Sequence, residues 1–319
     1  MKTFEFHAMG SKIFIAMDTN EFQIMDEAFK ARAWFEEWEE ALSRFRLNSE
    51  LSQVNRRPGV ALKISDTLFE VTSLAQSAEA RTGGLVTPTI LSALQTAGYT
   101  ESFEDIIPHT DLFLRQPAAV FQDPSQTYEL DRVNRRLTLG YGTQLDFGGF
   151  AKGWAAHQTM LRLKQFAPVL VDAGGDIALS GPPNDGSYWS IGVANPLNHE
   201  ANLHLLQVPQ GGVATSGKDY RRWFANHTWQ HHLIDTRTNR PAETDVLTAT
   251  VIATNVMEAE LNAKMGLILG SEAGADWLKS QGNIEYLLVL DSGTILQSAG
   301  YHQYQWSPQW NLLEHKLPL

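Results

Sequence analysis

The chain has 319 residues, a net charge of −11 and no cysteine, with 43% hydrophobic and 19% charged residues. Such a chain can bury a large core. The lack of cysteine excludes disulfides, thiolate metal sites and cysteine nucleophiles, and the acidic balance argues against nucleic acid as a partner, because phosphate binding needs clustered Lys and Arg.

The opening FEFHAMGSKIFIAM predicts two short strands around Gly10. Over residues 21–43, Phe22, Met25, Phe29, Phe35, Trp38 and Leu42 are spaced for one face of one long amphipathic helix. A second helix starts after Ser65, a good N-cap, and runs to Gly83-Gly84. Residues 101–127, rich in Pro, Asp and Gln, read as a loop-dominated insertion. YELDRVNRRLTL predicts a hairpin turning near Asp131–Asn134, and QLDFGGFAKGWAAH a strand, a Gly-rich turn and a helix. VLVDAGGDIALSG reads as two strands joined at Gly174-Gly175, and YWSIGVANP, GGVATSG, HHLIDTRT and LTATVIAT as further strands. EAELNAKMGLILG, residues 258–270, is a helix running to a glycine stop, and EYLLVLDSGTILQSAG a hairpin turning at Asp291–Gly293. Hairpins outnumber βαβ units, so the expected fold is α+β, with mostly antiparallel or mixed sheets and a few packed helices. One domain over residues 1–319 with two lobes is expected, the insertion at about 101–127 and a C-terminal extension at about 300–319. No apolar run is long enough to span a bilayer, so no membrane insertion is expected. The N-terminus lacks a signal-peptide core and a lipobox, so the chain as written is expected in the cytoplasm, and exported only if a leader was removed.

Four segments could carry chemistry. In DFGGFAKG, Asp146–Gly153, adjacent glycines before a helix allow close backbone approach and unpaired amides could face an anion, with Lys152 adding charge. A tight strand-to-helix turn with an exposed lysine fits the same residues. ATSGKDYRRW gathers hydroxyls and cations suited to a phosphate or ribose, although a polar turn is the plainer reading. In HHLIDTRTNRP an extended backbone sends His231 and His232 to opposite faces, which disfavours a paired-histidine metal site and leaves a core or hydrogen-bonding role. Phe45, in SRFRLNSELSQVN, either stacks on a planar ligand or plugs the core, the plug being the plainer reading.

In order, MGSKIFI, SRFRLNSELSQVN, TGGLVTPTI, LDFGGFAKGWAAH, VDAGGDIALSG, VATSGKDYRR, HHLIDTRTNRPA and AELNAKMGLILG resemble the FAD:protein FMN transferase (ApbE) family, from about Met9 to Gly270. The resemblance implies an ApbE-like fold and a protein that binds FAD and, with Mg²⁺, transfers its FMN half to a threonine of a flavin-acceptor protein. Alternatives within it are an FAD pyrophosphatase giving FMN and AMP, and a non-catalytic flavin-binding relative. By motif, Met9, Phe45, Asp146, Lys152 and Ile234 match FAD-contacting positions, and Gly149 one whose carbonyl helps hold Mg²⁺. Gly217 falls in the family's TSG turn.

The departures from the family pattern are specific. Leu85-Val86-Thr87 stand where the family has Ala-Phe-Asp, still beside the ligand but without the aromatic and the carboxylate, and His157 replaces a common aspartate. Thr236 and Asn239 replace the proline and glycine of Asp-Pro-Arg-Thr-Gly. Where the family places an Asp and, one turn later, a Thr on Mg²⁺, this chain has Glu260 and Lys264. Glutamate still offers a hard oxygen ligand, but a protonated lysine has no lone pair. An ammonium and a divalent cation about 4 Å apart repel by roughly 8 kcal/mol at an effective dielectric near 20. Lys264, with Lys152, is therefore expected to act on the pyrophosphate by its own charge, and Mg²⁺ not to be held in the family's usual way.

Overall fold

The computed structural model describes residues 1–103, 127–225 and 227–306. Most of the expected insertion and residues 307–319 lie outside these. Among the described residues an eight-stranded sheet runs through the molecule, built from β1 (Lys2–Ala8), β2 (Ser11–Met17), β3 (Val169–Ala173), β4 (Asp176–Leu179), β5 (Gly211–Gly217), β6 (Val246–Ala253), β7 (Glu285–Leu290) and β8 (Ile295–Gln297). The strands lie side by side in chain order, and every neighbouring pair is antiparallel. The helices are α1 (Phe22–Phe29), α2 (Ala31–Leu42), α3 (Glu50–Asn55), α4 (Asp66–Arg81), α5 (Leu91–Thr96), α6 (Ala151–Leu163), α7 (Val256–Leu269) and α8 (Ser271–Ser280).

Strand periodicity decides what covers each face. On β6 and β7, Val251, Tyr286 and Leu288 pack with the α7–α8 side, while Ile252, Leu287 and Val289 join the opposite core with the hairpin Trp189–Asn195/Asn198–Val208. The sheet is thus buried on both faces, which is why LTATVIAT reads as a nearly continuous apolar run. Ile13, Ile15, Val169 and Val171 pack with Phe35, Trp38, Trp154 and Leu163 of α2 and α6 in the largest core cluster. Tyr301, fully buried, closes the hairpin side, and Gln305 bridges to Leu206, so residues 301–305 of the predicted extension cover that lobe.

Helix α7 is apolar on nearly all sides and buried along most of its length, as befits a central helix. The Asn255 side chain caps its first turn by accepting from Glu258 N–H, and its start lies directly on β5. A side chain at Gly212 would meet the Val256 backbone nitrogen at 2.1 Å, so only glycine permits that approach. The predicted turns form as expected. Asp131 Oδ1 accepts from Val133 and Asn134 N–H, and Gly174, Gly175 and Gly293 adopt positive φ.

Three expectations are corrected. Residues 21–43 form two helices, because the chain turns at Lys30, whose N–H bonds back to Glu27 and Ala28. Within HHLIDTRT only Ile234–Asp235 is a strand; His231 ends the preceding strand, and His232 lies in the bend between them. Thr215-Ser216-Gly217 is the end of strand β5, paired with Thr248–Thr250, not a turn.

Candidate functional site

A cleft open to solvent, with about 690 Å³ of empty space in and above it, lies where the ends of α5 and α7 meet the turn before α6. Its walls come from segments far apart in the chain: Arg44 and Phe45 after α2, Leu85-Val86-Thr87 before α5, Tyr99 after it, Gly148-Gly149, Arg221, His232–Ile234 and Lys264 of α7. Phe45, Leu85, Val86, Thr87, Asp146, Gly149, Ile234 and Lys264, all singled out from sequence, are thereby gathered around one space. Glu260 lines a neighbouring cavity of about 430 Å³ that shares Gly149. Met9 and Lys152 are not among the lining residues. Met9 takes a positive φ in the β1–β2 turn with its N–H on Glu39 Oε1 at 2.8 Å. Lys152 is engaged by Asp176 of β4. Gly217 also lies outside the lining.

One end of the cleft is aromatic and cationic. The Arg44 guanidinium lies 4.0 Å from the Phe45 ring centroid and 4.6 Å from that of Tyr99, and Tyr99 stacks on buried Trp223 at 5.3 Å. Arg44 Nε makes an ionic contact with Asp146 Oδ2 at 2.6 Å, and Nη2 donates to the Tyr99 carbonyl at 2.9 Å. Asp146 Oδ1 accepts from Gly148 N–H at 2.8 Å, so the carboxylate ties the arginine to the glycine turn. Phe45 is 41% exposed and therefore no core plug; its ring offers a flat face at the cleft mouth. This end suits a planar heterocycle.

A second cation, Arg221, stands close enough to Tyr99 for its charge to act on that ring, as the charge of Arg44 does. Arg221 Nη2 donates to Gly10 O at 3.1 Å and Ser11 Oγ at 3.0 Å, fastening the β1–β2 turn to the cleft wall. His232 beside it has a buried Nδ1 with no hydrogen-bond partner. Burial first, and then the Arg221 charge, hold its imidazole well below the usual histidine range, so the ring is neutral. His231 is different: its Nε2 lies 3.1 Å from Ala242 O and its Nδ1 accepts from Leu233 N–H, a structural role. Arg44, Tyr99, Arg221 and His232 were not assigned to the site from sequence. The doublet His231-His232 ahead of a strand was the available signal for one of them; Tyr99 carried none.

The positions that match the family's Mg²⁺ ligands are Gly149 and Glu260. Lys264 Nζ lies 2.9 Å from Glu260 Oε1, both side chains largely buried. The lysine stem crosses Gly149, where an added Cβ would come within 3.0 Å of Lys264 Cε. Glu260 Oε2 points at α6, where a Cβ on Gly153 would stand only 2.3 Å away. Burial first, with Asp176 next, raises the Glu260 pKa, and the charges of Lys264 and Lys152 oppose that. An ammonium thus fills the space between the carbonyl-bearing turn and the carboxylate. It cannot donate a lone pair, and among the described residues no three His, Asp or Glu side chains converge to hold a metal. The residues here do not fit a divalent cation.

The departures from the family pattern have local partners. The Thr87 hydroxyl donates to Glu79 Oε1 at 2.9 Å, and Tyr128 to Oε2 at 2.9 Å, so a carboxylate from α4 reaches the segment that lacks its own. Thr236 Oγ1 donates to Gly84 O at 2.9 Å, and Asn239 takes a positive φ of 54°, which asparagine tolerates better than most residues.

Comparison with known proteins agrees with this geometry. The profile of the ApbE family matches residues 9–288. An FAD:protein FMN transferase of Vibrio cholerae is 27% identical over 245 residues, covering 75% of this chain and 72% of the relative. One of Klebsiella pneumoniae is 25% identical over 304 residues, covering 91% and 90%. The crystal structure of the ApbE protein of Thermotoga maritima superposes with a TM-score of 0.82 at 25% identity, covering 96% of this chain and 99% of that one. The flavin transferase ApbE of Vibrio cholerae shares the fold at a TM-score of 0.76 and 20% identity. Among the described residues no helix is long and apolar enough to cross a membrane.

Proposed function

Starting from the ApbE family, to which this chain belongs, we propose that it is an FAD:protein FMN transferase whose cleft binds FAD and whose protein partner presents an acceptor threonine. The observation that supports this reading is one cleft that gathers a neutral imidazole, His232, an aromatic–guanidinium cluster and the cations Arg221 and Lys264. The slot formed by Phe45, Arg44 and Tyr99 takes a flat ring of the dinucleotide. Arg221 and Lys264, on the same wall system as Gly148-Gly149, face the pyrophosphate.

In the reaction the threonine oxygen attacks the phosphorus of the FMN half. The bond from that phosphorus to the bridging oxygen breaks, AMP leaves with the electron pair, and the hydroxyl proton passes to the His232 imidazole. Fixed cations lower the barrier by stabilising charge on the phosphoryl oxygens and on the departing AMP. A neutral imidazole can accept a proton, whereas an imidazolium could not; the burial that keeps the ring neutral also lowers its basicity.

The test incubates the purified chain with FAD and a threonine-containing peptide from a flavinylated protein, in buffer with and without Mg²⁺. Mass spectrometry is expected to show an FMN adduct on threonine and an equal amount of AMP. FMN and AMP without an adduct would convert the reading to a pyrophosphatase. FAD recovered unchanged in both buffers would end it as an enzyme.

A further inference from the structure

We propose that Lys264 is a resident cation: its ammonium takes the place that a divalent metal holds opposite the FAD pyrophosphate, and the chain binds FAD without metal. This rests on the reading of the cleft as an FAD site, and it concerns how that site meets the pyrophosphate charge.

Three observations point the same way. First, the two residues line different spaces. Lys264 is among the residues that line the large cleft, whereas Glu260 lines the smaller cavity beyond Gly149. A carboxylate outside the cleft lining fixes the lysine without standing between it and an anion. An ammonium has three donors, and the contact with Glu260 at 2.9 Å occupies one of them.

Second, the space is cut for this pair. Glutamate reaches one methylene further than aspartate, and its Oε2 occupies the volume that any side chain at Gly153 would claim, at 2.3 Å from the Cβ position. The lysine stem likewise needs Gly149 bare, at 3.0 Å. An exposed helix pair would need neither glycine.

Third, neighbouring cations already have their own carboxylates. Arg44 is held by Asp146 and Lys152 by Asp176, so each brings its neutralising charge with it. Asp172 and Asp176 lie in the β3–β4 turn region behind Lys152, and Asp176 also acts on Glu260 from there. Among the described residues the cations lining the cleft are Arg44, Arg221 and Lys264; the carboxylate that holds Arg44, Asp146, lines the cleft as well, whereas Glu260, which holds Lys264, does not.

The test follows FAD binding by quenching of flavin fluorescence, in excess EDTA and in millimolar Mg²⁺, with riboflavin as the ligand that lacks phosphates. The expected result is the same dissociation constant for FAD in both buffers, within twofold. Lys264→Met, which keeps an unbranched stem without charge, should weaken FAD at least tenfold and leave riboflavin unchanged. If that variant does not fold, Glu260→Gln with Lys264→Met removes both charges and serves the same comparison. Glu260→Asp with Lys264→Thr should make FAD binding depend on Mg²⁺. FAD binding by the unaltered chain that needs Mg²⁺, or an unchanged FAD constant in the folded uncharged variant, overturns the resident cation while leaving the FAD cleft standing. No quenching of FAD in either buffer overturns both.

Discussion

Gly153 is the place to test whether the Glu260–Lys264 pair shapes the site. In Gly153→Ala the new Cβ would sit 2.3 Å from Glu260 Oε2, about 1 Å inside the 3.4 Å at which ordinary contact begins. A flexible exposed glutamate would swing away at little cost. Glu260 is only 5% exposed and its other oxygen is held by Lys264 at 2.9 Å, so α6 and α7 must part or the pair must break. Overpacking of this kind costs about 1–3 kcal/mol. A clash this deep lies at the upper end of that range, and alanine recovers up to about 1 kcal/mol from helix propensity, which leaves a net loss of about 2 kcal/mol. For a chain of this size that lowers Tm by roughly 3 °C. Thermal melting followed by circular dichroism reads the loss. The diagnostic measurement is the double-mutant cycle with Glu260→Asp, which withdraws the carboxylate by one methylene. The two changes together should be less damaging than their sum by at least about 1 kcal/mol. A Gly153→Ala protein as stable as the parent, or strictly additive changes, would refute the tight seat that the geometry describes.

Other changes separate chemistry from stability. His232→Gln should lower FMN transfer about 10²–10⁴-fold, as loss of a general base does, with the FAD dissociation constant held within a few-fold; equal losses in both would mean that the ring only shapes the cleft. Burial pushes His231 down to about 4. Its neutral form is thus favoured in the folded state, so its contribution is fully present above pH 6.5 and is lost as pH falls through 4. That contribution is up to about 3 kcal/mol, and His231→Gln should flatten this part of a stability–pH profile. Arg44→Met strands the buried Asp146 carboxylate and should destabilise by about 3–5 kcal/mol; adding Asp146→Asn should recover much of the folding stability without restoring FAD affinity.

Local patterns carried most of the fold. The alternation in VLVDAGGDIALSG and EYLLVLDSGTILQSAG, with glycine at the turns, specifies hairpins because register and turn geometry are short-range properties. The break at Lys30 escaped, because apolar residues on both sides keep helical spacing and the turn there shifts the helix without interrupting its buried face. The site was legible to the extent that its residues sat in recognisable motifs. Glu260 and Lys264 are four apart on a helix, so their meeting follows from spacing alone. That the pair is buried, and which space each residue lines, depends on α6 and on two glycines far away in sequence. His232 shows the limit most clearly. A histidine becomes a base or a structural bolt according to what its ring nitrogens touch, and adjacent His231 and His232 differ in that respect alone. From its own segment Phe45 reads more plainly as a core plug, because aromatic residues are usually buried, and only the family motif put it beside the ligand; the ring stands at the rim.

The departures from the family pattern bear on whether the site is intact or in decay. A decaying site accumulates mismatches: buried polar groups lose partners, and replacements fill space at random. Here four of the replacements are answered, while His157, in place of an aspartate, keeps a buried Nδ1 without a hydrogen-bond partner. Thr87, in place of a carboxylate, receives one from Glu79. Thr236, in place of proline, binds Gly84 and so ties the Ile234 strand to the segment that carries Leu85 and Val86. Asn239, in place of glycine, occupies the left-handed conformation the turn needs. Lys264, in place of a hydroxyl, arrives with its counter-ion and with room made for both at Gly149 and Gly153. Among the described residues, the buried polar atoms of cleft-lining residues without a hydrogen bond are His232 Nδ1 and Arg44 Nε, the latter in ionic contact with Asp146. A buried ion pair costs desolvation that a hydrophobic pair would avoid, so stability alone does not account for keeping Glu260 and Lys264 at the wall of an anion-binding cleft. A ligand whose charge draws on that lysine does.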